Sequence, residues 1–324
     1  MQVSTPIYRP VSNKNLEGIL CCLCGNSQID PYRFGLLQCA VCGLIMDRAA
    51  FAPSVCEKIQ KDWFDETRPQ VNLNWTTHFE ARKNRVICRR LLKTVGSFVG
   101  KRVLEVGVGS GSLLSMLRRF GASAEGCDIS PLTCDRVERA HQIKMHACSI
   151  EQLPLAEPGF DLIVCNHVLE HTVDPVSMLR NIYSRLAMNG VLHLAVPNAS
   201  CWEAALPGWN SYEPYHMIYY NRATLLRVLA VAHFQPNLIE TRESFSGWFL
   251  SGLRTVLRTR TKHRTPNRER STSAPQSSHV RNAYYIAMVL AGVLTSPLRL
   301  LQSALGAGDE IVVMASRETL GENG

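Results

Sequence analysis

The chain has 324 residues, 46% of them hydrophobic, which suffices for one large domain with appendages and is too apolar for a disordered chain. The formal net charge is +8, and the excess is local: Arg254, Arg258, Arg260, Lys262, Arg264, Arg268 and Arg270 stand against one acid, Glu269, with no interleaved aromatic to stack bases, which argues against nucleic acid as a partner. Twelve cysteines lie behind a polar Met1–Asn15 that lacks the apolar core of a signal peptide; this favours metal ligation and free thiols over a disulfide framework and predicts a cytoplasmic protein.

The first motif is Cys21-Cys22-Leu23-Cys24-Gly25, followed after fourteen intervening residues by Cys39-Ala40-Val41-Cys42-Gly43. A two-residue gap folds both sulfurs of a pair to one side of a tight knuckle. Glycine permits the turn, and two knuckles complete a tetrahedron around Zn2+. Cys21, Cys24, Cys39 and Cys42 are the expected ligands, with Cys22 an alternative to Cys21. Four thiolates leave no open position, so the predicted zinc is structural. Pro31–Gln38 suits a short β-ribbon. Residues 1–50 are therefore read as a zinc-ribbon module and 51–74 as a connector to a main domain at 75–249.

Thr77–Val95 shows helical spacing of Phe79, Val86, Ile87, Leu91 and Leu92. Its other face carries Arg82, Lys83, Arg85, Arg89 and Arg90, read as a solvated face, with contact to an anionic substrate group as the alternative. Next, the strand Val103, Leu104, Val106 runs into Gly107, Gly109 and Gly111, then a helix with Leu113, Leu114, Leu117 and Phe120, then a strand ending on Asp128. Glycines let the backbone turn sharply against a ligand, the helix start offers unpaired N–H groups, and an acid about 20 residues on is placed to bind a ribose. The unit is built for a nucleoside-bearing cofactor.

Further strands are expected near 144–147, 160–165, 191–196, 235–241 and 310–316. Between the fifth and sixth strands of the sheet, Cys201–Tyr220 is dense in aromatics: Trp202, Trp209, Tyr212, Tyr215, Tyr219 and Tyr220, with His216 among them. Such a loop is read as a substrate cover, with plain packing as the alternative. Residues 250–282 pass from the basic run into Ser271–Ser278 and read as a disordered insert. Residues 283–324 combine an apolar stretch, interrupted by Pro297 and Arg299, with the last strand. The stretch is too short to span a bilayer; it is read as a helix packed on the domain, with peripheral membrane contact through 254–305 as the secondary reading.

The spacing Glu105-x-Gly107-x-Gly109-x-Gly111 resembles the class I S-adenosylmethionine (SAM) methyltransferases. So do the segments that follow: Phe160–Asn166, Val168-Leu169-Glu170-His171, Asp174-Pro175, Met188–Leu194 and Val196-Pro197-Asn198. The resemblance covers roughly residues 75–240 plus the last strand and implies an α/β fold. Its Rossmann-like seven-stranded, mostly parallel sheet has an antiparallel last strand inserted between its neighbours, beside the zinc ribbon. It also implies SAM as cofactor. Glu105 would lie near the methionine amino end, Gly107, Gly109 and Gly111 along the methionine and ribose, and Asp128 on the ribose hydroxyls. Ser149, Ile150 and Glu151 would meet the adenine, and Asn166 and His167 would flank the sulfonium. Many relatives have Asp where Ser149 stands, and serine is a weaker partner for an adenine amino group. The cysteine ribbon resembles the N-terminal zinc module of some sugar and natural-product methyltransferases, where such a module often covers the substrate side.

If the acceptor is a hydroxyl or acidic carbon, the transfer needs a base, and histidine has a suitable pKa. His171, with Glu170 beside it, is the first candidate and His216 the second. The alternative for Glu170 and His171 is a helix cap. The expected function is methyl transfer to a small molecule such as a sugar, a nucleotide-linked sugar or a secondary metabolite, on oxygen or carbon. An RNA or protein methyltransferase reading with the ribbon is one competitor. Against it, no Asn/Asp-Pro-Pro-Tyr/Phe motif follows the fourth strand, where Asn166-His167-Val168-Leu169 stands. A non-catalytic SAM-binding module is the other.

Overall fold

The computed structural model describes residues 19–52, 74–155, 157–213, 215–243, 247–261, 286, 289–290 and 292–318. Helix α1 (Asn74–Val95) leads into seven strands: β4 (Arg102–Val106), β5 (Ser123–Cys127), β6 (Lys144–His146), β7 (Phe160–Asn166), β8 (Leu186–Pro197), β10 (Phe234–Arg242) and β11 (Glu310–Arg317). Their order across the sheet is β10-β11-β8-β7-β4-β5-β6. The pairs from β8 to β6 are parallel, while β11 is antiparallel to both neighbours. A seven-stranded, mostly parallel α/β sheet with an inserted antiparallel strand is therefore present. The central strands are covered on both faces. Val103, Leu104, Val106, Ile163 and Val164 are buried almost completely, as continuous apolar runs in a two-faced parallel sheet require.

The connecting helices are α2 (Ser112–Arg119), α3 (Pro131–His141), α4 (Pro175–Arg185) and α5 (Arg222–Val231). Three have side-chain caps. Ser130 accepts from Thr133 N, Asp174 accepts from Ser177 N, and Asn221 and Thr224 form a reciprocal capping box. Proline at the first turn of α3 and of α4 costs no hydrogen bond there. Helix α2 starts instead behind Gly111, which offers no side-chain cap; Ser112 N donates to Ser110 Oγ at 3.2 Å and the backbone of Leu114 bonds the Glu105 carboxyl.

A second, smaller sheet has the order β1-β2-β3-β9, from β1 (Ile29–Pro31), β2 (Leu37–Cys39), β3 (Ile45–Met46) and β9 (Ile218–Tyr219). Strand β9 comes from the end of the aromatic loop and pairs antiparallel with β3. The cysteine ribbon is thus stitched to the lid by backbone hydrogen bonds. Leu36, Ile45, Trp209, Tyr212 and Tyr219 form a shared apolar core beneath that seam.

Several expectations change. Helix α6 (Gly247–Thr261) occupies the first part of the stretch read as disordered, so 250–261 is helical; residues 262–285 lie outside the described ones. Connector residues 53–73 also lie outside them. Helix α7 (Ser296–Ala304) is the described end of the apolar stretch, but its leucines face outward and its Gln302 is buried. No helix among the described residues is long and apolar enough to cross a membrane. The cationic face of α1 is not uniformly solvated. Arg90 is buried against Glu240, and Lys83 bonds to Glu310, while Arg82, Arg85 and Arg89 are exposed.

Candidate active site

The glycine loop hangs between β4 and α2. Gly107, Gly109 and Gly111 all have positive φ, at 72°, 59° and 76°. A Cβ on Gly107 would lie 2.3 Å from Val168 Cγ2, and one on Gly111 2.7 Å from Val137 Cγ1; around Gly109 nothing comes within 4 Å. The first and third glycines are thus demanded by packing, and the middle one borders open space where a ligand can approach the backbone. Glu105, at 5% exposure, aims into this region, and its Oε2 is buried with no hydrogen-bond partner. Burial pushes its carboxyl up to about 8, against a backbone bond from Leu114 and with Glu80 and Asp128 adding to the rise. A buried acid of this kind fits a cationic group that arrives with the ligand, as the methionine ammonium of SAM would.

At the end of β5, Asp128 accepts from Ser130 N at 2.9 Å, which points one carboxylate oxygen into the turn. Ser149 is half-buried and Glu151 exposed. The Ile150 side chain packs into the core, so only its backbone can face an adenine. Helix α1 braces the loop from outside: Asn84 Nδ2 donates to Ser112 Oγ at 2.7 Å, Ser112 Oγ donates to Glu80 Oε1 at 2.8 Å, and Ser110 donates to the same carboxylate. Glu80 and Asn84 are site residues the sequence reading missed; their i, i+4 spacing on the face toward the loop was the available signal.

The second half of the site follows β7. Asn166 Oδ1 lies 2.9 Å from His193 Nδ1. Burial, with Arg90 adding, lowers His193 to about 3. His193 is therefore neutral and donates to Asn166. His167 sits at φ 55° and turns its ring between two carboxylates, 2.7 Å from Glu310 Oε1 and 3.4 Å from Glu170 Oε1, the latter an ion-pair contact rather than a hydrogen bond. Lys83 Nζ lies 3.2 Å from both Glu310 Oε1 and His167 Nε2. Burial and Lys83 both work to strip the proton from His167, but the two carboxylates outweigh them and hold its pKa up to about 9. Glu310 is correspondingly held well below its ordinary range. From sequence Lys83 was read only as one cation of a solvated or substrate-facing stripe, and Glu310 only as part of the last strand; their partner lies 84 and 143 residues away.

Glu170 is 1% exposed on a 3-10 turn, Leu169–His171. Burial alone would protonate it, yet His167, His171 and His216 hold it ionised, at about 2. His171 Nδ1 bonds to Tyr215 O at 3.0 Å, and His216 Nδ1 to Ser211 O at 2.8 Å. A carbonyl partner makes Nδ1 the donor in each ring and leaves Nε2 free of that bond. The nearest ligand-type atoms of Glu170, His171 and His216 lie within 4.8 Å of one another. Burial lowers His216 to about 4, so it is neutral at pH 7. The three candidate catalytic residues thus meet although the third lies in another loop. Met217 N donates to Glu170 O at 2.7 Å, which locks that loop over the 3-10 turn. Most of the loop's aromatics pack inward. Tyr220 donates to Leu169 O and is fully buried, and Trp209, Tyr212 and Tyr219 belong to the shared core, while Tyr215 and His216 stack around His171.

In the ribbon, Cys21 and Cys42 sulfurs are 3.4 Å apart and those of Cys24 and Cys39 3.6 Å, with all four within 4.8 Å of one another. A tetrahedral Zn–S distance of about 2.3 Å sets sulfurs about 3.8 Å apart, so the donor set fits that metal. Gly25 N and Gly43 N close the two knuckles on Cys21 O and Cys39 O. Cys22 is outside the group.

The sheet order, the glycine loop after β4 and the acid after β5 are arranged as in class I SAM-dependent methyltransferases. Comparison with known proteins agrees. Residues 78–237 match the family model described as a methyltransferase domain. A ubiquinone biosynthesis O-methyltransferase of Xanthomonas campestris pv. campestris (strain B100) is 36% identical over 106 residues, covering 31% of this chain and 44% of that protein. One of Sodalis glossinidius is 31% identical over 126 residues, covering 36% and 51%. The chain thus spans about half the length of these curated relatives. A Galdieria sulphuraria protein provisionally assigned as a sarcosine dimethylglycine methyltransferase shares the fold, with a TM-score of 0.50 and 14% identity over 74% of this chain and 86% of that one.

Proposed function

We propose that this protein transfers the methyl group of SAM to a hydroxyl oxygen of a small organic acceptor. SAM supplies a sulfonium methyl that is already activated; what remains for the chain is to hold, align and keep water out. Glu105, Gly107, Gly109 and Gly111 hold the methionine side, Asp128 the ribose hydroxyls, and Ser149, Glu151 and the Ile150 backbone the adenine. Asn166 and His167 border the transfer zone. His171 takes the acceptor proton on Nε2, its ring oriented by Tyr215 O. The ionised Glu170 stabilises the imidazolium that forms, and neutral His216 closes the same wall. Cys21, Cys24, Cys39 and Cys42 hold a structural Zn2+ that keeps β3 and β9 paired. The names of the curated relatives support oxygen as the acceptor atom.

The observation that carries this reading is the buried Glu105 carboxyl, whose Oε2 has no hydrogen-bond partner, together with the open backbone at Gly109. The test is calorimetry of the zinc-loaded protein with SAM, then a turnover screen with sugar, nucleotide-sugar and phenolic acceptors. SAM binding is expected, with Asp128→Ala weakening it at least tenfold, the worth of charge-assisted hydrogen bonds. Absence of SAM binding by folded protein overturns the proposal.

A further inference from the structure

A fully buried carboxylate ordinarily accepts hydrogen bonds on its oxygens. Glu170 accepts none: Oε1 and Oε2 are both buried without a hydrogen-bond partner, and the His167 Nδ1 contact at 3.4 Å is an ion pair on Oε1. Two further imidazoles stand around it. His171 follows on the same 3-10 turn and His216 arrives from the aromatic loop, their ring centroids 5.0 Å apart. A backbone carbonyl can only accept, so Nδ1 is the donor toward Tyr215 O in one ring and toward Ser211 O in the other, and Nε2 is the atom each ring can turn to a metal. One ligand-type atom from each of Glu170, His171 and His216 lies within 4.8 Å of the other two.

Two imidazoles and one carboxylate are ligand types of zinc and its first-row neighbours, and Nδ1–H held by a backbone carbonyl is the usual way a ligating imidazole is fixed. Ligand distances of about 2.0–2.2 Å set tetrahedral donors about 3.4 Å apart, so the three need to draw in by about 1.4 Å at most. Their frame is already tied. Met217 N donates to Glu170 O at 2.7 Å, and Tyr215 and His216 stack on His171. We propose that Glu170, His171 and His216 form a second metal site, separate from the four cysteines, for a transition-metal dication such as Zn2+ rather than Mg2+. Three protein ligands leave a coordination position open, unlike the closed thiolate set. The third ligand comes from the aromatic loop, so the ion also pins that loop to the 3-10 turn. An ion and a proton compete for the same nitrogen of His171. Metal occupancy and base action therefore exclude one another, and the bound ion arrests turnover; this consequence rests on the methyl-transfer reading above, whereas the site itself does not.

The test is calorimetric titration of Zn2+, and separately of Mg2+, into the full-length protein already zinc-loaded on its cysteines. A second equivalent of Zn2+ is expected to bind, and Mg2+ is expected not to. His216→Gln and Glu170→Gln each weaken that second equivalent at least about a hundredfold, because loss of an outer partner alone costs up to that much, and both leave the first equivalent in place. Loading with Co2+ reads the ligands without any substitution: the first equivalent shows a thiolate charge-transfer band, the second only the weak d–d bands of nitrogen and oxygen ligands. These readouts need neither SAM nor an acceptor, so their failure is distinct from a failure of methyl transfer. In the turnover assay the second equivalent of Zn2+ lowers the rate at least about a hundredfold, the worth of a blocked base. The proposal is overturned if Zn2+ binding stops at one equivalent, if the second equivalent survives both substitutions, or if its Co2+ spectrum carries a sulfur band. Turnover unchanged by the second Zn2+ overturns the exclusion of base by ion.

Discussion

The two halves of the cleft are built on different principles. The half proposed for the cofactor is local in sequence: Glu105, the three glycines and Asp128 fall within one strand–helix–strand unit, and the brace from Glu80 and Asn84 is one helix upstream. The half proposed for the acceptor is assembled from afar. Its 3-10 turn is held by Met217, its lid by a strand added to the cysteine ribbon, and its His167 by Lys83 and Glu310 from opposite ends of the chain. A half made of one contiguous unit keeps its shape alone, whereas a half made of four segments depends on each staple.

The largest effect separating the halves is expected from His171→Ala. Loss of a positioned base lowers kcat about 10²–10⁴-fold, while SAM affinity by calorimetry stays within twofold; equal loss of both would erase the division proposed here. Next comes zinc removal by chelator or Cys39→Ser. Structural zinc sites supply folding energy directly, so the ribbon should open and release β9, with turnover falling on the order of a hundredfold and SAM still bound. Limited proteolysis within residues 19–46, read beside the calorimetry, checks this. Gly107→Ala acts on the cofactor half. The new methyl would meet Val168 at 2.3 Å and force a positive φ on alanine, costing about 2–4 kcal/mol by urea unfolding.

The smallest effect sharpens the role of Glu105. Its folded pKa, raised to about 8, lies above its unfolded value, so the native state holds a proton that the unfolded chain has already lost. Native stability from this group is therefore full below about pH 4.5 and declines as pH rises toward 8. The Tm difference between Glu105→Gln and wild type, without SAM, should widen in favour of the variant across that range; a flat difference would show that Glu105 keeps its ordinary pKa.

The same contrast explains what could be read from the chain. All seven strands of the main sheet fall within a few residues of the expected places; β4, β7, β11 and the second half of β8 are the apolar runs among them. The glycine loop was legible because its spacing is itself the geometry. The face of α1 was not: composition shows five cations, but burying Arg90 requires Glu240, 150 residues on, and no local pattern announces that partner. Pairing of β9 with the ribbon was hidden for the same reason, since two residues of strand carry no periodicity of their own. The apolar stretch before the last strand was read as a helix packed on the domain; the period of leucines shows that a stripe exists, not which way it points. Only Gln302 settles that, through Glu203.

The contact between Gly107 and Val168 has a consequence for how the protein can change over generations. The exit of β4 and the turn after β7 compete for the same cubic ångströms, so bulk gained on one side must be surrendered on the other. A smaller residue at 168 can offer volume to a methyl at 107, but it cannot alter the left-handed backbone there. Compensation between the two positions is consequently one-directional and incomplete: space is negotiable at this junction, handedness is not.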